Sequence, residues 1–420
     1  MTTSGEIIII GAGAAGLLAG RELSAQFKIT ILEARDVIGG RIHTVYKNEH
    51  KAAETGAEFV HGVLPVTLGL LKEAGLSYQL VNGNMYQVQN GHWDPQYEMI
   101  AGWDELLEKM GTITSDMTMQ HFLDQYFPAA THSALHLNVS RFVQGYDLAD
   151  MNYVSVKALY TEWTNESDNN FRIDKGYSAL IHFLAEAITH AQGRIITNAA
   201  VTGIQWSPGQ ATVTTADGTT YTADKVIVTV PLGVLQQQAI SFSPALPAHL
   251  KAAADIGWGT VIKAVLHFKT AFWETHAKDV GFIFGEAPFP TWWTQLPDTT
   301  PALTGWLGGP PAIPYLTQSP AAILDTALQS LATICNKDIT TLQSLLTDSH
   351  VSNWAADPHI RGAYSYSKPE TPAAQAILNT PVADTVYFAG EALYHGTSPG
   401  TVEAALYTGK QVADCILAAR

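Results

Sequence analysis

The sequence predicts an α/β protein built on a parallel, nucleotide-binding sheet, and three observations carry that prediction. The run Glu6 to Ile10 holds four consecutive isoleucines. Gly11, Gly13 and Gly16 follow in the order G-x-G-x-x-G. A second apolar run, Lys28 to Leu32, ends on the acidic Glu33. Strand, glycine turn, helix, second strand and acid are the opening parts of a dinucleotide-binding unit. A glycine triplet alone also fits an ordinary tight turn, and its place between an apolar strand and a helix-forming run gives it weight.

Each piece has its own physical reason. Ile7 to Ile10 is apolar without alternation, as in a strand covered on both faces. Gly11 permits the tight turn, Gly13 lets backbone amides approach a pyrophosphate, and Gly16 lets helix and sheet pack closely. The run Ala14 to Ala25 reads as a helix whose N-terminus adds partial positive charge. Glu33 can accept hydrogen bonds from a ribose hydroxyl. Arg35, the glycine pair Gly39 and Gly40, and Arg41 follow at once, the glycines as flexible backbone and Arg41 as a guanidinium fork suited to phosphate.

Length and composition bound the remainder. A chain of 420 residues buries a large core and suggests about two domains. Apolar content of 46% with 15% charged residues describes a compact protein rather than a disordered one. The net charge of -15 argues against a nucleic-acid partner, and most of those carboxylates read as solvated surface. Cys335 and Cys415 stand far apart and form no metal-ligand pattern, so no metal is expected. The start MTTSGE lacks a basic leader and no apolar run reaches the ~18 residues of a membrane helix, so a cytoplasmic chain without a membrane anchor is expected.

Further along, LGLLKEAGL, WDELLEKM and MQHFLDQYF make residues 64 to 145 read as a helical lid, while VIKAVLHF and VGFIFG read as strands of a mixed sheet. Lys263 sits in the first of these strands among apolar neighbours. It is either a lysine facing solvent from an edge or a buried ammonium that needs a compensating site. Glu391 ends an apolar strand between Gly390 and Ala392, where ligand contact is the better reading than a solvated carboxylate.

Six segments resemble one family in the same order: DVIGGRIHT after Glu33, ETGAEFVHG, DKVIVTVPLGVL, GWGTVIKAVLHF with Lys263, NWAADPHIRGAYSY and the closing VYFAGEALYHGTSPGTVEAALYTGKQVA. The family is that of the flavin-containing amine oxidases, which includes monoamine oxidases, polyamine oxidases and histone lysine demethylases. Between Val63 and Lys175, and between Ser241 and Asn353, the likeness is mostly one of layout. It implies an FAD-binding, Rossmann-like domain from residues 1–62, 176–245 and 355–420. This domain would be interleaved with an α+β substrate domain, a mixed sheet with a helical lid, from 63–175 and 246–354.

The resemblance also implies roles. Glu33, Arg35, Gly40 and Arg41 would hold the adenosine and phosphate parts of FAD, Glu391 the ribityl chain, and the Val402 amide the flavin's pyrimidine edge. Val201 matches a backbone contact to adenine, or is a plain core valine. Lys263 would reach flavin N5 through a water. Tyr364 matches one wall of an aromatic cage for the amine, and Thr401 falls on the opposite wall, as in the demethylase branch. Monoamine oxidases carry a cysteine just before the cage tyrosine, and Ala363 stands there instead, so the FAD is expected to be dissociable.

Glu58 and His61 occupy the stretch where amino acid oxidases of this fold carry an arginine. This favours a mono- or polyamine without a carboxylate. His61 reads equally as a structural histidine. Trp292, Trp293 and Trp306 line the pocket or belong to the core, and the sequence does not separate the two. The implied reaction is hydride transfer from the amine α-carbon to flavin N5, giving an imine and then an aldehyde, with O2 reduced to H2O2. The partners are the amine and O2, with a homodimer left open. Two other readings stand beside it: a carbon–carbon oxidase of the porphyrinogen or carotenoid branch, and a weakly active flavoprotein interaction module.

Overall fold

The isoleucine run forms the middle strand of a parallel sheet, and its residues alternate between two cores. The computed structural model describes residues 5–47, 50–96, 100–167 and 169–419; Met1 to Ser4, part of the leader argument, lie outside these. Five strands run in the order Arg194–Ile196, Lys28–Leu32, Glu6–Ile10, Lys225–Val228 and Val386–Phe388, every pair parallel. Ile7 and Ile9 face a core shared with the helices Ala14–Leu23, Ser178–His190 and Val402–Ala418. Ile8 and Ile10 face a second core containing Leu232, Leu235, Phe242 and Ala253. A strand buried on both sides has no polar face to offer, which is why the sequence shows no alternation there.

A second sheet of seven strands is mixed. Its order is Leu346–Asn353, Val261–Phe268, Ala302–Gly308, Thr291–Thr294, Val280–Phe284, Asn84–Gln89 and His92–Pro95. All its pairs are antiparallel except Val280–Phe284 with Asn84–Gln89. The helix Pro320–Cys335 covers one face through Ile323, Leu328 and Leu331. Four helices, Trp103–Gly111, Met119–Tyr126, Ala129–Gly145 and Val156–Asn165, pack around Phe122, Val139, Leu159 and Trp163 as a separate layer.

The stretch expected to be helical from residue 64 to 145 is interrupted. After the helix Pro65–Glu73 come three strands, Tyr78–Leu80, Asn84–Gln89 and His92–Pro95, before helices resume. The last two form a hairpin turned by Asn90 and Gly91, both at positive φ. That Asn-Gly pair is the turn chemistry a tight hairpin requires. No helix among the described residues is long and apolar enough to cross a membrane.

Candidate active site

One cavity of about 1970 Å³ runs from the first glycine turn to the helical layer, and it gathers residues from distant parts of the chain. Drug-sized ligand pockets span roughly 300–1,000 Å³, so this one has room for a dinucleotide and a further small molecule. Gly11, Gly13, Glu33, Arg35, Gly40, Arg41, Glu58, His61, Lys263, Trp306, Tyr364, Glu391, Thr401 and Val402 all line it.

At the nucleotide end, Gly11 takes a φ of 106° that only glycine adopts without strain, and Gly13 is the N-cap of the helix Ala14–Leu23. The buried carboxylate of Glu33 accepts from the Ala12 amide at 2.8 Å and from the Arg35 amide at 3.0 Å, so it also fixes the turn it faces. Arg35 donates to the Gly40 carbonyl and lies over the Trp354 ring. Arg41 donates to Glu391 at 3.1 Å and to the Ala363 carbonyl, with its guanidinium over Trp258. Glu391 in turn accepts from the Ser365 amide at 2.9 Å and from its hydroxyl. Arg41 and Glu391, read separately from sequence, are therefore partners that join the start of the chain to the turn after its last strand.

Deeper in, Lys263 is 2% exposed. Its ammonium donates to Glu58 at 2.6 Å and to the Gly56 carbonyl at 3.1 Å. Glu58 also accepts from Arg172 at 2.7 Å and from the Trp293 indole at 3.0 Å. One buried carboxylate thus serves two cations, which pull it below the usual carboxylate range against the opposing effect of burial, the largest influence on it. Nearby, burial pushes Glu54 up to about 7, although it accepts from the Tyr177 amide. Burial lowers His61, favouring the neutral imidazole. Tyr364 donates its hydroxyl to the Tyr146 carbonyl. Thr401 caps the helix Val402–Ala418 by accepting from the Ala404 amide at 3.2 Å.

Three residues singled out from sequence lie off the cavity. Trp292, expected in the pocket, is fully buried in the seven-stranded sheet's core and donates to the Phe289 carbonyl at 2.9 Å. Strand alternation turns its neighbour Trp293 toward the cavity instead, against Trp306. Val201 lies in the strand Val201–Ser207 against the second core, outside the cavity lining. Gly16 serves packing: a Cβ there would stand 2.1 Å from the Gly11 carbonyl oxygen. Sequence reasoning missed Arg172, a lone cation in the short strand Asn170–Ile173, and the acids Asp147 and Glu162 on the helical side.

Residues 14–417 match the model of the flavin containing amine oxidoreductase family. The chain belongs to that family. Polyamine oxidase 4 of Oryza sativa subsp. japonica is 29% identical over 97% of this chain and 88% of its own length. Lysine-specific histone demethylase 2 of Homo sapiens is 28% identical over 98% of this chain, which spans 53% of that longer protein. Among solved structures, putrescine oxidase bound to putrescine superposes with a TM-score of 0.81 at 20% identity, covering 99% of both chains. Cyclohexylamine oxidase from Brevibacterium oxydans IH-35A does so at 0.81 and 19%, again over 99% of both. At that identity the structural likeness speaks to the fold.

As a flavin-containing amine oxidoreductase the chain requires a cradle for FAD, and its glycines fit one. A Cβ built on Gly13 or on Gly390 meets nothing within 4 Å, so both backbones face open space along the cavity. Gly13 has an ordinary φ of -81°, so its lack of a side chain answers a need for room rather than conformation. Gly13→Val should therefore cost the flavin-free protein no more than about 1 kcal/mol, the loss of a favoured helix N-cap, while its side chain fills the cradle. Flavin absorbance after purification, set beside thermal unfolding of the flavin-free protein, checks this; a variant that unfolds early would place Gly13 in packing instead.

Proposed function

We propose that the protein oxidises primary or secondary amines lacking a carboxylate, using non-covalently held FAD. The observation that carries this reading is the convergence on one cavity of the glycine cradle, the buried Lys263 and Tyr364. FAD held there would supply the two-electron chemistry, by which the amine loses a hydride from its α-carbon to give an imine that hydrolyses to an aldehyde and O2 is reduced to H2O2. With this reading goes the division into an FAD-binding part, residues 1–62, 176–245 and 355–420, and a substrate part, 63–175 and 246–354.

The chain's own residues supply charge, orientation and dryness. Glu33, Arg35, Gly40, Arg41 and Glu391 would hold the cofactor. Lys263 keeps a fixed positive charge on the cavity wall, its position set by Glu58 and Gly56. The capped N-terminus of the helix Val402–Ala418, which also lines the cavity, adds partial positive charge there. Tyr364 and Thr401 border the chamber, with Tyr364 held by its bond to the Tyr146 carbonyl. Trp293 and Trp306 supply an apolar side.

Arg172 bears on substrate class. It reaches the GAEFVHG stretch from another strand, where an amino acid's carboxylate would seek a cation. Its guanidinium, however, donates to Glu58 and to the carbonyls of Thr294 and Leu296. Committed in this way, it offers no free fork, which supports an amine without a carboxylate. An anaerobic panel on the purified yellow protein tests the reading. Mono- and polyamines should bleach the flavin and α-amino acids should not, whereas a colourless protein unable to take up FAD, or bleaching by amino acids alone, would refute it.

A further inference from the structure

The carboxylate of Glu58 is divided between two cations. Its Oε2 accepts from the Lys263 ammonium at 2.6 Å. Its Oε1 accepts from the Arg172 guanidinium, through Nε at 3.1 Å and Nη2 at 2.7 Å, and from the Trp293 indole at 3.0 Å. Lys263, Glu58 and Trp293 line the cavity, and Arg172 does not. Arg172 comes from behind: its strand, Asn170–Ile173, pairs with Val60–His61 just after Glu58, and its guanidinium lies over the Phe59 ring at 4.8 Å. It also donates to the carbonyls of Thr294 and Leu296.

This division does two things. A glutamate's last torsion is soft, so a carboxylate with a free oxygen can turn both oxygens onto one partner. With Oε1 taken by Arg172 and Trp293, Glu58 presents Oε2 alone to Lys263, and the ammonium meets one fixed acceptor. The second effect is on charge. Two cations share one carboxylate, so the group as a whole stays positive beside the cavity. Glu54, pushed up to about 7 chiefly by burial, is a further acid in the field of Lys263 and Glu58, and at neutral pH it offsets that charge only in part.

We propose that Arg172 is a positioning residue for the cavity cation: by occupying one oxygen of Glu58 it fixes Lys263 and keeps the ammonium from being neutralised outright. This rests on the amine-oxidation reading above, in which Lys263 acts on the flavin. Arg172, off the cavity lining, acts only through Glu58.

The test reduces the purified holoprotein with dithionite, which needs no amine, and follows reoxidation by O2 in stopped flow. Arg172→Gln keeps a donor for Glu58 without the charge. It should slow reoxidation about tenfold, less than direct loss of the cavity cation, because the charge acts from behind the carboxylate. Arg172→Lys keeps the charge without the fork and should stay close to wild type, although both variants lose contacts to Thr294 and Leu296 and unfold at lower urea. A wild-type rate in Arg172→Gln, or equal slowing in the two variants, would overturn the role. Should the glutamine variant fail to fold, Arg172→Lys decides alone: a near-wild-type rate at a lowered urea midpoint supports the role, and slowing of the size expected for glutamine refutes it. If dithionite reduces the flavin and no amine does, the oxidase reading fails and the Arg172 result stands. If FAD is not taken up at all, urea unfolding of the flavin-free protein decides, through Lys263→Met, Arg172→Gln and the two combined. Removing one cation leaves Glu58 the other, and removing both strands a buried carboxylate, so the combined loss should exceed the sum. Additive losses would make the two cations independent and end the proposal.

Discussion

Lys263→Met is expected to yield a folded, yellow protein whose colour returns slowly when air is admitted after anaerobic reduction, by about a hundredfold relative to wild type. The size follows from removing one preorganised positive charge from a dry site, where it acts without reorganisation. The variant should still fold because Glu58, the partner left behind, keeps Arg172 and the Trp293 indole. Methionine matches the lysine stem in length and suits the apolar neighbours in the strand Val261–Phe268. Stopped-flow reoxidation separates this step from reduction by the amine. Reoxidation at the wild-type rate would remove Lys263 from its assigned role while leaving the fold untouched.

The second large effect concerns stability. Glu58→Ala leaves a 2% exposed ammonium with the Gly56 carbonyl as hydrogen-bond acceptor and a guanidinium with the Thr294 and Leu296 carbonyls, neither with a counter-charge on Glu58. Breaking a buried ion pair from one side costs about 3–5 kcal/mol, because the remaining charge stays desolvated. Urea unfolding of the flavin-free variant should show a midpoint lowered accordingly with an unchanged slope. Glu58→Gln, which keeps an acceptor oxygen but not the charge, should fall between. A loss below about 1 kcal/mol for alanine would mean that the two cations find water or other partners and that Glu58 is not their anchor.

How much of this was legible in the sequence differed by residue. The first sheet was readable because four isoleucines, three glycines and an acid each answer a separate physical demand within one short stretch. Lys263 was readable as a problem, a cation in an apolar strand. Its solution was not, since Glu58 lies 205 residues away and only folding brings the two together. Arg41 and Glu391 illustrate the same limit across 350 residues. The hairpin at Asn90 and Gly91 carried a local signal that composition alone outweighed. Trp292 and Trp293 differ by one step of strand alternation, and without the register nothing decides which of the two faces the cavity. Asp147 gave no warning at all: an acid in YDLAD looks like surface until its burial is seen.

Thr401 holds two obligations at once. Its hydroxyl terminates the final helix, and the same residue borders the chamber. A ring introduced here to narrow the cavity would forfeit that cap, worth about 1 kcal/mol, and would loosen the helix Val402–Ala418, which packs against Ala14–Leu23. The position is therefore not freely adjustable: reshaping the cavity at Thr401 also unsettles the pairing of the last helix with the first one, which starts at the glycine turn.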